Sequence, residues 1–158
     1  MGVLHFFRTL GLKSILGSAL TLEEEIYNLY ASLKEELAEL EVPPSIVHIV
    51  DEEVGHQNLI RDMIANRIGD EEMERILEGG NLHIHDPQAL EPLSKNRYGP
   101  VLQRLEIILD REKEIRDLFT GLYRKSKIPF VRRAFRFLKE QEQTHVLLLE
   151  RLLGKPNS

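Results

Sequence analysis

Two copies of one short motif, Glu-x-x-His, contain the residues of this sequence best suited to chemistry. Glu53 and His56 form the first copy, and Glu142 and His145 form the second copy 89 residues later. Positions i and i+3 of an α-helix lie on one face, so each copy directs a carboxylate and an imidazole the same way. One such motif is a weak signal, because Glu and His are common on solvated helix faces. Its repetition predicts that both copies belong to one site.

The offset of 89 residues also relates Glu23 to Glu112, together with the residues that follow them. The run Glu-Glu-Glu-Ile-Tyr-Asn-Leu-Tyr begins at Glu23, and the run Glu-Lys-Glu-Ile-Arg-Asp-Leu-Phe begins at Glu112. The chain is therefore predicted to contain a duplicated pair of helices related by an internal two-fold axis. Each pair supplies one Glu and then one Glu-x-x-His.

Apolar residues spaced by three and four positions predict the elements that position these side chains. Four segments show this spacing, which is typical of helices packed on one another. In each segment, Glu alone or Glu with His interrupts the apolar line, so the interrupting residues should face the core. The apolar positions are Leu16, Ala19, Ile26, Tyr30, Leu33, Leu37 and Leu40; Ile46, Ile49, Ile60 and Met63; Val101, Leu105, Ile108, Ile115, Phe119 and Leu122; and Val131, Phe135, Leu138, Leu149 and Leu152.

Four carboxylates and two imidazoles gathered in one apolar core predict a metal site. An ionised carboxylate is costly there unless it is paired or bound to a metal. Mixed carboxylate and imidazole ligands suit iron or manganese, and zinc also occupies such sites. The predicted metal ligands are Glu23, Glu53, His56, Glu112, Glu142 and His145.

Proline and glycine residues divide the four helical segments. The predicted helices run from a cap at Ser18 or Thr21 to about Glu41, from about Pro44 to Arg67, from Pro100 to about Lys125, and from Pro129 to Leu153. The first and last connections are short, whereas the middle one, with a short helix at 70–77, has about thirty residues and needs a structural reason. Two antiparallel pairs related by a two-fold axis provide it, because the chain must return along the bundle. The fold prediction is an all-α four-helix bundle with a long crossover between helices 2 and 3.

The doubled pattern of Glu followed by Glu-x-x-His resembles that of the ferritin-like di-iron carboxylate proteins. The resemblance covers about residues 19–153 and is strongest to the rubrerythrin-type domain, on the spacing of Glu23 and Tyr30 and the Glu-Lys-Glu run at Glu112. It implies a ferritin-like bundle with two iron ions as cofactors, or manganese or zinc in their place. Iron is favoured for redox work because it cycles between two oxidation states.

The resemblance also implies how the ligands divide between the two metals. Glu23 and Glu112 would supply carboxylates from the first and third helices. Glu53 and Glu142 would bridge or flank the metals. The remaining two ligands, His56 and His145, would each hold one metal.

Two features depart from the peroxide-reducing rubrerythrins. Those proteins have a further Glu one turn beyond the third-helix ligand, where this sequence has Ile115. They also contain a cysteine-rich rubredoxin module, whereas this chain has no cysteine. Electrons are therefore expected from an external donor.

The leading functional prediction is a non-haem di-iron redox protein that oxidises ferrous iron or reduces dioxygen or peroxide. One alternative is iron storage or sequestration with a ferroxidase site, and another is a zinc-stabilised structural bundle without turnover. Storage requires a shell of many subunits, and the absence of a fifth-helix pattern after Leu153 disfavours a large cage.

Length and composition restrict the other possibilities. The 158 residues suit one domain, with the bundle at 18–154 preceded by an apolar extension at 1–17. A net charge of −5 argues against nucleic acid as a partner. The apolar start is interrupted too often to span a membrane. We also expect a cytoplasmic location and a homo-oligomer, specifically a dimer.

A few further polar residues require a prediction. Tyr30 lies on the Glu23 face. Its hydroxyl either forms a hydrogen bond to a ligating carboxylate, or the residue only packs in the core as an amphipathic tyrosine. Its counterpart at the 89-residue offset is Phe119, so the site should be asymmetric there. We expect His48 and four acids to face solvent: Glu24, Glu25, Glu52 and Glu114. The loop residues His83, His85 and Asp86 either bind a surface metal or act as capping or solvated residues.

Overall fold

Four α-helices make up most of the ranges that the computed structural model describes, residues 3–37, 44–65 and 91–156. No strand occurs within those ranges. The helices are α1 (Val3–Leu37), α2 (Pro44–Ile64), α3 (Lys95–Lys125) and α4 (Pro129–Leu152). The all-α, four-helix fold prediction is confirmed.

Helix α1 begins much earlier than the sequence suggested. The prediction that Ser18 or Thr21 caps its start is wrong, because both residues lie within a continuous helix. The Ser18 and Thr21 hydroxyls instead donate to the carbonyls of Ser14 and Gly17, four residues back, at 3.3 and 3.1 Å. This alternative is open to hydroxyl side chains in a helix interior. The division of the chain at residue 17 stays a prediction, and the backbone of residues 3–17 is part of α1.

Helix α3 also begins earlier than predicted, at Lys95 instead of Pro100. Its first turn joins the rest of the helix through a kink at Tyr98, whose φ of −118° and ψ of 17° are not helical. A proline within a helix lacks the amide hydrogen that would continue the ladder, which accounts for the kink. The buried Tyr98 ring fixes this turn to the core.

The start of α2 and both ends of α4 follow the sequence signals, whereas the predicted ends at Glu41 and Arg67 lie outside the described residues. Pro129 occupies the start of α4, where a missing amide hydrogen costs nothing. Gly154, with a φ of 67°, ends it in a left-handed conformation that glycine adopts readily. The amide of Leu93 donates to the Leu152 carbonyl at 2.8 Å, which attaches the segment before α3 to the end of α4.

The four helices pack in a square arrangement. Helix α1 contacts α2 and α3, and α4 contacts α3 and α2. Within the described ranges, α2 and α3 do not contact each other, so these two helices lie at opposite corners of the bundle. The predicted short helix at 70–77 lies outside the described residues. None of the described helices has the length and apolarity that crossing a membrane requires.

The predicted apolar seams form the core between these helices. Fully buried members come from every helix, including Ile26 of α1, Ile49 of α2, Ile108 of α3 and Leu138 of α4. Phe119 and Phe135 stack with ring centroids 6.2 Å apart at one level of this core. The packed layers on either side leave a polar middle layer, and the predicted ligands occupy it.

Candidate metal centre

The six predicted ligands converge in the middle of the bundle, and we call them the central cluster. All are buried, and even the most accessible, His56, is only 3% exposed. Helices α1 and α3 contribute one carboxylate each, and α2 and α4 contribute one Glu-x-x-His each. The members are Glu23, Glu53, His56, Glu112, Glu142 and His145.

The central cluster divides into two overlapping sets of four residues, which we call the His56 half and the His145 half. Within each half, one ligand atom from every residue lies within 4.8 Å of the others. Glu53 and Glu142 belong to both halves. The His56 half is Glu23, Glu53, His56 and Glu142, and the His145 half is Glu53, Glu112, Glu142 and His145.

In the His56 half, the ring nitrogen Nδ1 faces three carboxylates. It lies 2.8 Å from Oε1 of Glu142, 3.5 Å from Oε1 of Glu23 and 3.9 Å from Oε2 of Glu53. In a protein without metal, the shortest of these contacts is a hydrogen bond from the imidazole to Glu142.

The His145 half has the same arrangement. Its Nδ1 lies 3.0 Å from Oε1 of Glu53, 3.4 Å from Oε2 of Glu142 and 3.5 Å from Oε1 of Glu112. Glu53 and Glu142 thus each turn one oxygen towards His56 and the other towards His145. The two imidazole rings lie nearly parallel, with centroids 5.5 Å apart. Shared carboxylates between two imidazoles are an arrangement that suits two neighbouring cations.

Many polar atoms of the central cluster are buried without hydrogen-bond partners in the described ranges. Both oxygens of Glu23 and of Glu53 are in this state, as are Oε2 of Glu112 and Oε2 of Glu142. Buried polar groups are almost always hydrogen-bonded, and an unpaired buried carboxylate is costly. Oxygen and imidazole donors of this kind are ligands for iron, manganese or zinc. The residues present therefore fit a metal site.

The carboxyl groups of the centre differ in their tendency to ionise. Burial raises the pKa of Glu53 and of Glu142 well above the usual value, and repulsion from neighbouring carboxylates adds to the increase. Burial opposes ionisation of Glu23 and Glu112 as well, but their neighbours outweigh it. Glu53 and His56 lower the pKa of Glu23. Glu142 and the charge of His145 lower the pKa of Glu112 to about 2.

Both imidazoles gain affinity for protons despite their burial. Burial alone would lower the pKa of His56, but the adjacent Glu23 and Glu53 raise it. For His145, the neighbouring Glu112 and other carboxylates raise the pKa well above its usual value against the effect of burial. Without metal, protons on the shared carboxylates and on the histidines therefore balance the charge of Glu23 and Glu112. Cations bound at the centre would have to replace those protons.

Tyr30 contacts the centre across the bundle. Its hydroxyl donates to Oε1 of Glu112 at 2.9 Å, so α1 and α3 are joined through a buried hydrogen bond. Burial and the nearby carboxylates raise the pKa of Tyr30 well above its usual value, which keeps the hydroxyl protonated as a donor. Of the two alternatives for Tyr30, the structure shows the hydrogen bond to a cluster carboxylate, and Phe119 at the related position has no hydroxyl to do the same.

Glu52 is the contact that the sequence analysis missed. The sequence predicts a solvated acid at this position, but Oε2 of Glu52 lies 2.6 Å from Nε2 of His145, and the side chain is only 17% exposed. Its own helix gives no sign of this contact, because Glu52 lies outside the α2 seam and reaches His145 on α4. The sequence does contain one indication: at the 89-residue offset Glu52 corresponds to Gln141, so both helix pairs have a polar residue with a side chain of similar length directly before the Glu-x-x-His motif.

The other polar residues lie away from the centre or outside the described ranges. Glu24 pairs with Arg61 at 2.9 Å, and Glu25 pairs with Arg111 at 3.2 Å, on half-exposed surfaces. His48 is half-buried on α2, so the prediction that it faces solvent is only partly met. Ile115 is fully buried, as an apolar seam residue should be. The loop residues His83, His85 and Asp86 lie outside the described residues.

A four-helix bundle whose buried middle layer consists of carboxylates and imidazoles defines a ferritin-like carboxylate protein. The sequence profile of the rubrerythrin family matches residues 14–153, nearly the whole chain. The chain therefore belongs to the rubrerythrin family, which confirms the resemblance seen in the sequence. No individual curated protein and no solved structure matches the chain significantly.

Proposed function

We propose that this chain is a non-haem di-iron protein that oxidises ferrous iron, or reduces dioxygen or peroxide, at the central cluster. The observation that carries the proposal is the sharing of Glu53 and Glu142, each of which directs one oxygen to each imidazole. Carboxylates shared in this way hold two cations together, and in two-metal sites a separation of about 3.5–4 Å allows both ions to act on one substrate.

Bound iron would supply the redox chemistry, because it cycles between the ferrous and ferric states. The side chains of the chain bind and orient. Nδ1 of each histidine and the oxygens of Glu23 and Glu112 hold each half in place. Carboxylates can change between terminal and bridging modes as the charge at the centre changes, which four further imidazoles could not do.

The surroundings of the centre favour reactions that need protection from bulk water. Apolar layers close the core above and below the central cluster, with Ile26, Ile49, Ile108 and Ile115 fully buried. Electrostatic interactions are stronger in such a low-dielectric interior. The Tyr30 hydroxyl oxygen lies 2.9 Å from Oε1 of Glu112, and the hydrogen bond that it donates stabilises negative charge on that carboxylate.

An external electron donor belongs to the same proposal. The chain has no cysteine, so it contains no rubredoxin-type iron centre of its own. A donor that binds the surface of the bundle would have to restore the ferrous state. The homodimer and the cytoplasmic location expected from the sequence remain predictions.

Anaerobic loading followed by oxidation tests the proposal. Metal-free protein is titrated with ferrous iron without oxygen, and is then mixed with dioxygen or with peroxide in a stopped-flow spectrophotometer. The proposed function gives two ferrous ions per chain and a ferric absorption that develops faster than in a buffer control with the same iron. The comparison of the two rates shows which oxidant the centre reacts with more readily.

The matched variant for this experiment is Glu53→Gln, compared with Glu24→Gln on the neighbouring surface. Glu53→Gln should lose the accelerated oxidation, whereas Glu24→Gln, in a half-exposed pair with Arg61, should keep it. Tight binding of zinc with iron oxidation no faster than in buffer would instead support the structural bundle.

A further inference from the structure

The inner faces of the two halves match, but the outer faces of their imidazoles do not. His145 presents Nδ1 to the carboxylates, and its opposite nitrogen, Nε2, lies 2.6 Å from Oε2 of Glu52. His56 also presents Nδ1 to the carboxylates, but its Nε2 is buried and has no hydrogen-bond partner among the described residues. The outer contact therefore exists on one imidazole alone within the described chain.

The difference between the two imidazoles corresponds to a difference between the two copies of the repeat. Glu52 corresponds to Gln141 at the same 89-residue offset that relates the ligands. A carboxylate thus stands on α2 where the second helix pair has a neutral amide. The ligand types are the same in the two helix pairs, so this difference between Glu52 and Gln141 concerns only the surroundings of the centre.

An acceptor on the outer nitrogen determines which nitrogen can bind a metal. When Nδ1 of His145 gives up its proton in favour of a metal, Nε2 keeps its hydrogen, which Oε2 of Glu52 accepts, and the lone pair of Nδ1 is then directed at the other ligands. Such an outer carboxylate fixes the ring and makes the imidazole a stronger ligand. Nδ1 of His56 likewise lies 2.8 Å from Oε1 of Glu142, so the inner sides of the two rings are alike. The difference is at Nε2 of His56, which has no hydrogen-bond acceptor among the described residues.

We propose that Glu52 is a positioning residue that makes the His145 half the tighter of the two metal sites. It acts through His145 and touches no metal itself. The inference rests on the proposed metal centre and adds an order of filling: the first ion enters the His145 half, and the second enters the His56 half.

Cobalt(II) titration of single-site variants tests this proposal without any redox reaction. His56→Ala leaves the His145 half, and His145→Ala leaves the His56 half. Each background is combined with Glu52→Gln, which keeps the size of the side chain, and with Asp51→Asn, which removes the same charge from an exposed neighbour. Visible absorption gives the coordination of cobalt(II), and calorimetry gives its affinity.

The expected result is a loss of affinity confined to one background. Glu52→Gln should weaken binding by about 10–100-fold in the His56→Ala protein, by analogy with other outer contacts of ligating histidines. It should leave the His145→Ala protein unchanged, and Asp51→Asn should leave both unchanged. Equal weakening in both backgrounds would mean that Glu52 only supports the fold, and no weakening would also overturn the proposal.

The controls separate this inference from the proposed function. Thermal unfolding of each metal-free variant detects a general loss of stability, which the comparison between backgrounds cancels. If the unmodified protein binds two cobalt ions but Glu52→Gln has no selective effect, the positioning role alone is wrong. If the unmodified protein binds no cobalt, the metal centre on which both proposals depend is wrong.

Discussion

The first helix pair, α1 and α2, and the second pair, α3 and α4, supply the same ligand types but surround them differently. The offset of 89 residues reproduces each member of the central cluster and also buried apolar neighbours such as Ile26 and Ile115. It does not reproduce the polar residues one layer further out. Tyr30 corresponds to Phe119, and Glu52 corresponds to Gln141.

The comparison shows which residues can diverge in a duplicated site. A change within the central cluster would leave buried charges uncompensated, because Glu53 and Glu142 serve both halves at once. A change in the outer layer alters the strength of one ligand while the others remain in place. The outer layer is therefore where two halves with identical ligands can acquire different properties.

The largest expected effect comes from the residues that belong to both halves. Replacing Glu53 and Glu142 together with Gln should abolish binding of both ions, since each half loses two of its four ligands. Glu23→Gln should lose only the ion of the His56 half, and Glu112→Gln only that of the His145 half. Metal content per chain after dialysis measures the difference, with circular dichroism as the control for folding. Loss of both ions from the Glu23→Gln protein would show that the two halves do not bind their ions separately.

A second prediction concerns pH, which should affect metal binding in one direction. The pKa values of Glu53, Glu142, His56 and His145 are raised, so these groups hold protons that cations must displace. Affinity should therefore increase with pH and be accompanied by proton release. Calorimetry in buffers of different ionisation enthalpy counts the released protons. Binding that is independent of pH between about 5 and 8, a range that includes the ordinary pKa of histidine, would contradict the charge balance described above.

The stability of the metal-free protein should respond to pH with the opposite sign. Groups with a raised pKa stabilise the fold at low pH, and this contribution is lost as the pH rises through their folded values. Glu112 acts in the other direction and only at acidic pH. Its pKa is lowered from 4.5 to about 2, so it contributes stability above pH 4.5 that is lost as the pH falls towards 2. The increase in melting temperature on adding metal should thus grow with pH. A constant increase across the pH range would count against this linkage.

The smallest expected effect is that of Tyr30→Phe, which removes one hydroxyl from the first pair. The hydrogen bond to Glu112 withdraws charge from that carboxylate, so its loss should favour the ferric state and accelerate oxidation. The expected change is about fivefold, if about 1 kcal/mol of the hydrogen-bond energy differs between oxidation states. Metal stoichiometry should stay unchanged. Stopped-flow traces that match the unmodified protein would assign Tyr30 to core packing alone.

The sequence was sufficient to predict the central cluster, because charged residues that interrupt an apolar seam must face the core. The repeat at one offset added the information that two seams with Glu-x-x-His meet two with Glu. Short connections beside Pro44 and Pro129 gave the pairing of the helices. These signals are local or periodic, and both kinds can be detected in a single sequence.

Contacts that depend on the approach of two helices could not be predicted in the same way. Glu52 lies off its own seam, and only the packing of α2 on α4 brings it to His145. The start of α1 could not be predicted because a serine side chain can either cap a helix or donate to a carbonyl four residues back, as Ser18 does. The residue type alone does not distinguish these two roles.

The central claim is that one chain holds two iron ions linked by Glu53 and Glu142, and electron paramagnetic resonance tests it most directly. Metal-free protein is loaded anaerobically with two equivalents of ferrous iron and then oxidised in air. Linked ferric ions couple magnetically, so the expected result is two bound iron ions per chain without the signal of isolated ferric iron. An isolated ferric signal that accounts for all the bound iron, or one ion per chain, would contradict the shared centre.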